Sequence, residues 1–271
     1  AQQFVLKRLQ SDDIANFSTL EAVQKTLIRT SDLLVIRNPY VILGLVVLAV
    51  FVLILIAKMP QAKGYETNAP MGETFSKLFK NTNYSQGVLS QVFYVGAQIM
   101  CWTYIYQYAE AIGLTSKTAA NYQFLCFILF LVGRAIGTYF LRFVNAGRLL
   151  MLFAVFAAIA SLFTIFIEGP FGLYSLVGIS FFMSLMFPTI YGIALDGLDE
   201  EESKIGAAGL VMAIVGGALM PKLQGMLIDL GGNGVNDIKV LGVSEVNFSF
   251  LLPLLCFLFI AYYGNKIYKQ A

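Results

Sequence analysis

Seven long apolar segments run through the chain, and each is long enough to cross the hydrocarbon core of a lipid bilayer. An α-helix rises about 1.5 Å per residue, so roughly 20 apolar residues span a core of about 30 Å. The segments cover residues 40–57, 88–108, 119–141, 149–167, 171–195, 205–230 and 246–263. Hydrophobic residues are 58% of the sequence and charged residues 13%, values that exclude a soluble domain. The sequence therefore predicts an all-α integral membrane protein with about seven transmembrane helices, surrounded by lipid.

The residue types that the chain lacks exclude several classes of function. The sequence contains no histidine, which removes zinc-type metal sites, histidine-assisted nucleophiles and the common proton shuttles. The net charge is only +2 and the basic residues are dispersed, so we expect no nucleic-acid partner. Cys101, Cys126 and Cys256 all lie inside apolar segments and are interpreted as small buried side chains. We expect no metal site, and a protein that is not an enzyme.

Lysine and arginine collect in alternate loops, which predicts the orientation of the chain in the membrane. One set of loops and the C-terminus carry Lys58, Lys63, Lys77, Lys80, Arg142, Arg148, Lys204, Lys266 and Lys269. The short loops on the opposite side carry only Lys117 and Lys239. Because positively charged loops stay in the cytoplasm, we expect the C-terminus and residues 59–87 to be cytoplasmic.

Residues 59–87 are the longest connection between apolar segments and are rich in Gly, Asn, Ser and Lys. We interpret them as a cytoplasmic linker between two helical bundles. On this division residues 1–38 form an extracytoplasmic loop and 39–58 the last helix of a first bundle. Residues 88–271 form a second bundle of six helices, and most of the first bundle is expected upstream of residue 1.

The second apolar segment carries amides and aromatic rings where a lipid-facing helix would carry leucine and valine. Gln91, Tyr94, Gln98 and Trp102 fall on one stripe at helical spacing. Amides bond hydroxyl groups, and flat rings cover the C–H face of a pyranose, so this stripe suits a small neutral sugar. The same amides can instead join neighbouring helices, and the spacing leaves both interpretations open.

Pro188 lies in the middle of the fifth segment. A proline there leaves a backbone carbonyl without its helical N–H, and a neighbour or water must satisfy that carbonyl. Phe187 and Tyr191 flank the proline and share a helix face. Transporters place their sites at broken helices near the membrane midplane, whereas a kink without a ligand is the alternative.

Small residues recur at every fourth position of the sixth segment. The stripe consists of Gly209, Ala213, Gly217, Pro221 and Gly225. It predicts that a neighbouring helix packs very closely, and Gly216 and Pro221 also allow the helix to bend. Close packing alone and a hinge in a moving bundle both fit this pattern.

Three arginines follow the glycines of the stretch GRAIGTYFLRFVNAGR at the end of the third segment. Arg134, Arg142 and Arg148 can bond carboxylates or helix C-termini, which predicts a latch that holds one conformation. Extension of the side chains to the cytoplasm also explains Arg142 and Arg148, while Arg134 lies deeper in the membrane.

Five motifs, in this order and at this spacing, resemble the fucose, galactose and glucose:proton symporter family of the major facilitator superfamily. They are AQIMCWTYIYQYAE, SKTAANY, GRAIGTYFLRF, FFMSLMFPTIYGIAL and GLVMAIVGGALMPKLQGMLID. The resemblance implies a bacterial inner-membrane protein of two six-helix bundles, with alternating access around a central sugar site. This chain would supply the last helix of the N-terminal bundle and the whole C-terminal bundle. The partner implied is the missing N-terminal bundle of the same protein.

The resemblance also implies which residues contact the sugar. The cavity wall would comprise Gln91, Gln98, Trp102, Asn121, Phe187 and Tyr191. The coupling ion is expected to be a proton, with no other cofactor, and its carrying acids are expected in the absent half. L-fucose is the expected sugar, with glucose, galactose and N-acetylglucosamine as alternatives.

Seven apolar segments also fit a seven-helix receptor or a retinal-type protein. The last segment, 246–263, has no lysine for a retinal Schiff base. A membrane enzyme is disfavoured because the sequence offers neither histidine nor a buried carboxylate pair for acid and base catalysis.

Overall fold

The computed structural model describes residues 22–57, 71–232 and 238–270, and helices dominate these ranges. Seven helical stretches are long and apolar enough to cross a membrane: Thr26–Ile56, Thr82–Ala111, Ser116–Phe140, Ala146–Phe166, Pro170–Leu195, Glu200–Ile228 and Glu245–Gln270. Each of the seven predicted segments coincides with one of these stretches. The predicted all-α membrane fold is confirmed.

The chain divides into two units, Ala1–Glu66 and Thr67–Ala271. In the first unit the described part is a single helix, α1 (Ala22–Ile56), whose apolar half is exposed along its length. The predicted loop over 1–38 is already helical from Ala22, and residues 1–21 lie outside the described residues. No glycine or proline interrupts the sequence between Ala22 and Pro39, so helix formation continues through the polar residues.

The second unit is built from helices joined by short loops, and its helices are named here in chain order. They are α2 (Met71–Lys80), α3 (Thr82–Thr103), α4 (Ile105–Ala111), α5 (Ser116–Phe140), α6 (Ala146–Phe166), α7 (Pro170–Met183), α8 (Met186–Leu195), α9 (Glu200–Met212), α10 (Gly216–Ile228), α11 (Glu245–Ser249) and α12 (Leu251–Gln270). A two-stranded antiparallel hairpin, β1 (Lys239–Val240) and β2 (Val243–Ser244), precedes α11. The end of the bundle near this hairpin is called the hairpin end, and the opposite end, near α2, the linker end.

Several helices begin earlier than the apolar segments that predicted them, because polar side chains cap their first turns. Asn81 accepts hydrogen bonds from the backbone N–H groups of Asn83 and Tyr84, so α3 starts six residues before the predicted 88. Asp199 and Glu202 form a capping box at the start of α9. The predicted linker over 59–87 therefore contains α2 and the first turn of α3, while its residues 59–70 lie outside the described residues.

Helix α3 lies in the middle of the second unit and packs against α8, α10 and α12. Helix α6 packs between α7 and α12, and α5 packs mainly on α7. The core between them is rich in large rings. Its largest fully buried side chains include Tyr94, Tyr108, Phe250, Phe257 and Tyr263. The span of α11 and α12 is the most buried of the six, and the spans of α5 and of α9 with α10 are the least buried.

Four of the six spans in this unit are interrupted, and one of these breaks is the single residue Phe250 between α11 and α12. The break between α7 and α8 falls at Ser184 and Leu185, one turn before Pro188, as the proline predicted. The break between α9 and α10 is a 3₁₀ turn, Ala213–Val215, which directly precedes Gly216, whereas Pro221 lies inside α10. A further break, at Tyr104 between α3 and α4, carries no glycine or proline, so no local sequence signal indicated it.

The small residues of α9 and α10 allow very close packing against α3, as predicted. A Cβ atom added at Gly216 would overlap the backbone carbonyl oxygen of Val92. One at Gly217 would lie 3.1 Å from side-chain atoms of Val95 and Ile99. The nearest approach is therefore at Gly216, beside the predicted stripe and next to the 3₁₀ turn.

Helix α2 docks on the linker end of the bundle through one apolar side chain and one ion pair. Leu78 is 1% exposed and packs with Tyr84, Ala194 and Leu210. The ammonium group of Lys77 lies 2.5 Å from a carboxylate oxygen of Glu202. The hydrogen bond with Glu202, followed by the charge of that carboxylate, raises the pKa of Lys77.

We expect Leu78→Ala to release α2 from the bundle and Lys77→Gln to leave it docked. Loss of a buried leucine side chain costs about 2–5 kcal/mol, whereas an exposed ion pair contributes little. Because the pKa of Lys77 is raised, its contribution is complete below the ordinary value of 10.5 and is lost only as pH rises above it. Hydrogen exchange of residues 74–80 in lipid nanodiscs should therefore accelerate at least tenfold in Leu78→Ala at pH 7. Equal acceleration in both variants would contradict this account.

Candidate functional site

The predicted polar stripe of α3 faces the broken helix formed by α7 and α8. The Tyr94 ring meets the Phe187 ring edge-on, with centroids 6.0 Å apart. About two turns further along α3 and about two turns back along the partner, the indole Nε1 of Trp102 donates a hydrogen bond to Ser180 Oγ at 3.2 Å. The two contacts define one antiparallel register, which places Gln98 level with the break between α7 and α8.

Trp102 is half-buried and is held by rings from α5 as well as by Ser180. The edges of Phe127 and Phe130 meet the indole at centroid distances of 5.1 and 5.3 Å. Edge-to-face pairs of this kind restrict the rotation of the indole. Its position is therefore fixed by three neighbouring side chains.

Phe187 and Tyr191 form a second aromatic surface, on α8. Their rings lie nearly parallel, at an angle of 11°, with centroids 6.5 Å apart. Both are half-buried, and Pro188 between them is exposed. The first two turns of α8 thus present two flat rings on one face, beside the break, as their spacing of four residues predicted.

The carbonyl that Pro188 leaves without a helical donor belongs to Ser184. Arg134 of α5 satisfies it, because the guanidinium Nε and Nη2 each donate a hydrogen bond to this oxygen at 3.2 Å. A Cβ atom at Gly133 would overlap the carbonyl oxygen of Phe181, so the neighbouring glycine is what allows α5 to come this close. The sequence predicted that a neighbour must satisfy the carbonyl but did not connect it with Arg134.

The predicted sugar contacts differ in their accessibility within this chain. Gln98 is half-buried and Asn121 is exposed. Gln91 and Tyr94 are 0% and 1% exposed, and neither the Gln91 amide nor the Tyr94 hydroxyl has a hydrogen-bond partner among the described residues. A buried polar group without a partner is costly. Gln91 and Tyr94 therefore lie inside the bundle, behind the more accessible Gln98 and Trp102.

The three predicted latch arginines make separate contacts. Arg148 lies over the ring of Tyr268 in α12, 5.8 Å from its centroid, and Arg142 is exposed. The N–H groups of Gly147 and Arg148 donate to Asn145 at the start of α6. Arg134, by contrast, contacts the break. A common latch function of these arginines stays a prediction.

Sequence reasoning did not identify two polar residues of this region. Ser180 accepts the Trp102 indole hydrogen, but a serine within an apolar helix carries no distinctive signal. Gln123 is 4% exposed and its amide has no hydrogen-bond partner within the described chain. An amide in an apolar segment was the signal that identified Gln98, and the same signal applies to Gln123.

A cavity of about 400 Å³ lies at the hairpin end, away from these rings. It is lined by Glu168, Lys239, Ser244 and Asn247 among others, and the Glu168 and Lys239 charges are 4.0 Å apart. Asn247 is already bonded to the Tyr108 hydroxyl and to the carbonyl of Thr164. The Asn247 amide thus already joins α11 to α4 and to the end of α6.

The second unit is a bundle of six membrane-length spans, in which broken helices present a polar and aromatic face. The family described as Major Facilitator Superfamily matches residues 30–221, and the chain belongs to this superfamily. With the family established, the alternative of a seven-helix receptor or retinal-type protein is not supported.

The chain is similar to curated sugar transporters. It is 50% identical to the L-fucose-proton symporter of Haemophilus influenzae, over 99% of this chain and 62% of that protein. It is 32% identical to the L-fucose-proton symporter of Escherichia coli and 29% identical to the glucose/galactose transporter of Brucella abortus. These matches cover 92% and 84% of this chain and 55% and 53% of those proteins. The chain thus spans little more than half the length of these relatives.

A crystal structure of the Escherichia coli fucose:proton symporter FucP has the same fold. It matches with a TM-score of 0.74 and 28% sequence identity, over 98% of this chain and 63% of that one. A second structure of FucP, described as being in the outward conformation, matches equally well.

Proposed function

We propose that this chain is the C-terminal part of a proton-coupled sugar symporter that works by alternating access. The observation that carries the proposal is the pairing of two aromatic surfaces, Trp102 and Phe187–Tyr191, on either side of the α7–α8 break. Gln98 lies level with that break and supplies an uncharged donor and acceptor. Rings cover the C–H face of a sugar and an amide bonds its hydroxyls, so a small neutral sugar fits this face.

The named activities of the relatives support L-fucose as the substrate. Relatives at 50% and 32% identity are called L-fucose-proton symporters, while those called glucose/galactose transporters are 29% identical. We therefore rank L-fucose first and glucose and galactose second. N-acetylglucosamine is the weakest candidate, because no relative named above carries it.

The placement of acidic residues supports a proton carrier outside this bundle. In the six spans of the second unit, every aspartate and glutamate lies in a first or last turn, such as Glu110, Glu202 and Glu245. A coupled proton needs an acid that both sides of the membrane can reach in turn. We propose that this acid belongs to an N-terminal bundle that completes the transporter.

We propose that the linker end and the C-terminus are cytoplasmic in a bacterial inner membrane. The lysines and arginines of the loops at this end support that orientation. Coupling then requires that sugar and proton move together from the hairpin end to the linker end.

Uptake of labelled L-fucose into energised vesicles containing the full-length protein tests the proposal. Saturable uptake should be abolished by a protonophore and reduced by unlabelled L-fucose more than by glucose, galactose or N-acetylglucosamine. Stronger competition by glucose or galactose would keep the mechanism and change the substrate. Absence of uptake for all four sugars would contradict a sugar symporter.

A further inference from the structure

We propose that Arg134 is a positioning residue of the sugar site: it takes the place of the N–H that Pro188 lacks and thereby sets Phe187 and Tyr191 relative to Trp102. The importance of this geometry for sugar rests on the proposed function. The positioning of Phe187 and Tyr191 by Arg134 does not rest on the proposed function, because it follows from contacts within the described residues.

Pro188 leaves the hydrogen bonding of the break one donor short. In an uninterrupted helix the N–H of residue 188 would bond the carbonyl of residue 184, and proline has no N–H to give. Arg134 supplies two N–H donors to that carbonyl instead, at 3.2 Å each. The direction in which α8 leaves the break is therefore set by a side chain of α5 and not by the helix itself.

Arg134 is also linked to the other aromatic surface, that of Trp102. The Arg134 guanidinium lies over the Phe130 ring, 5.1 Å from its centroid. Phe130 in turn meets the Trp102 indole at 5.3 Å. One side chain thus connects the Trp102 surface, through Phe130, with the Phe187–Tyr191 surface, through Ser184.

Two other polar groups at the break have partners that do not involve Arg134. The Ser184 hydroxyl donates to the Phe181 carbonyl at 2.7 Å, and the N–H of Thr189 bonds the carbonyl of Leu185 at 3.2 Å. Loss of Arg134 would therefore leave one defined carbonyl, that of Ser184, without a donor. The expected consequence is local, at the start of α8.

The geometry requires arginine and not lysine. Two donors of one guanidinium share a single acceptor while the same group lies over the Phe130 ring, and a lysine ammonium has no such fork of donors. Arg134→Lys is accordingly expected to keep the charge but lose the positioning.

The test is a cycle of variants in the full-length protein: Arg134→Met, Pro188→Ala and the double variant. Pro188→Ala returns a backbone N–H to the Ser184 carbonyl, so it should restore what Arg134→Met removes. Lys204→Met removes a surface cation on α9 and serves as the control. Thermal unfolding of each variant checks that the fold is retained.

Two measurements are made on each variant: the Kd for L-fucose and hydrogen exchange of residues 185–191. We expect Arg134→Met to raise Kd and accelerate exchange, each at least tenfold, and Arg134→Lys to do nearly the same. The double variant should return both to within about threefold of the parent, and Lys204→Met should change neither.

An unchanged exchange rate in Arg134→Met would overturn the proposal, and so would a folded double variant that shows no recovery. If the parent protein binds no sugar, the proposed function fails, while the exchange measurements still decide whether Arg134 positions α8.

Discussion

Trp102→Ala is expected to weaken L-fucose binding by the full-length protein about ten- to a hundredfold. Removing a large ring from a contact costs about 1.5–3 kcal/mol, and each 1.4 kcal/mol is about a tenfold change in Kd. The variant also loses the hydrogen bond to Ser180 and the two edge contacts with Phe127 and Phe130. Trp102→Phe keeps a flat ring and should stay within about fivefold of the parent, as measured by equilibrium displacement of labelled sugar.

The control for this experiment is Phe171→Ala. Phe171 is also a large ring in a membrane span, but it lies at the hairpin end and is 73% exposed. Its removal should leave the Kd unchanged. If Trp102→Ala binds L-fucose as tightly as the parent and remains folded, the proposed contact between sugar and indole is wrong.

Gly216→Ala is expected to destabilise the bundle by about 2–3 kcal/mol, a large effect for one methyl group. The new Cβ would overlap the carbonyl oxygen of Val92, and a backbone atom cannot rotate away as a side chain can. Helices α3 and α10 would have to separate, which disturbs the contacts of Val95 and Ile99 with Gly217. Thermal unfolding of purified protein in detergent should show a lower Tm.

Gly178→Ala is the matched control, because it makes the same change in a membrane helix of the same unit. A Cβ at Gly178 meets no atom within 4 Å. Alanine also has the better helix propensity, by roughly 0.8–1.0 kcal/mol. Gly178→Ala should therefore leave Tm unchanged or raise it. Equal loss of stability in both variants would show that close packing at Gly216 is not the cause.

The apolar segments predicted the spans well because burial in a bilayer depends mainly on hydropathy. Their ends were less predictable, since capping depends on single polar residues such as Asn81 and Asp199, which lie outside the apolar segments. The early start of α1 was missed for a similar reason. The residues between Ala22 and Pro39 form helix, but many of them are polar, so hydropathy did not mark them. The break at Tyr104 had no local signal at all.

Within the candidate site, helical spacing correctly placed Tyr94 and Trp102 on one face of α3. Spacing alone does not reveal which neighbouring helix covers which part of a face, so the burial of Gln91 and Tyr94 was not foreseen. Pro188 and Arg134 were each singled out from local chemistry. Their connection through Ser184 depends on the tertiary packing of α5 against α7, which a single sequence does not show.

The most direct test of the account is the fluorescence of Trp102 during a titration with L-fucose. Trp102 is the only tryptophan of the 271 residues, so the difference between the full-length protein and its Trp102→Phe variant isolates its emission. The account predicts a saturable change in this difference, with a midpoint equal to the Kd for L-fucose and no response to a sugar that does not compete for uptake. Identical titrations of the parent and the variant, while both still bind L-fucose, would show that the sugar lies elsewhere.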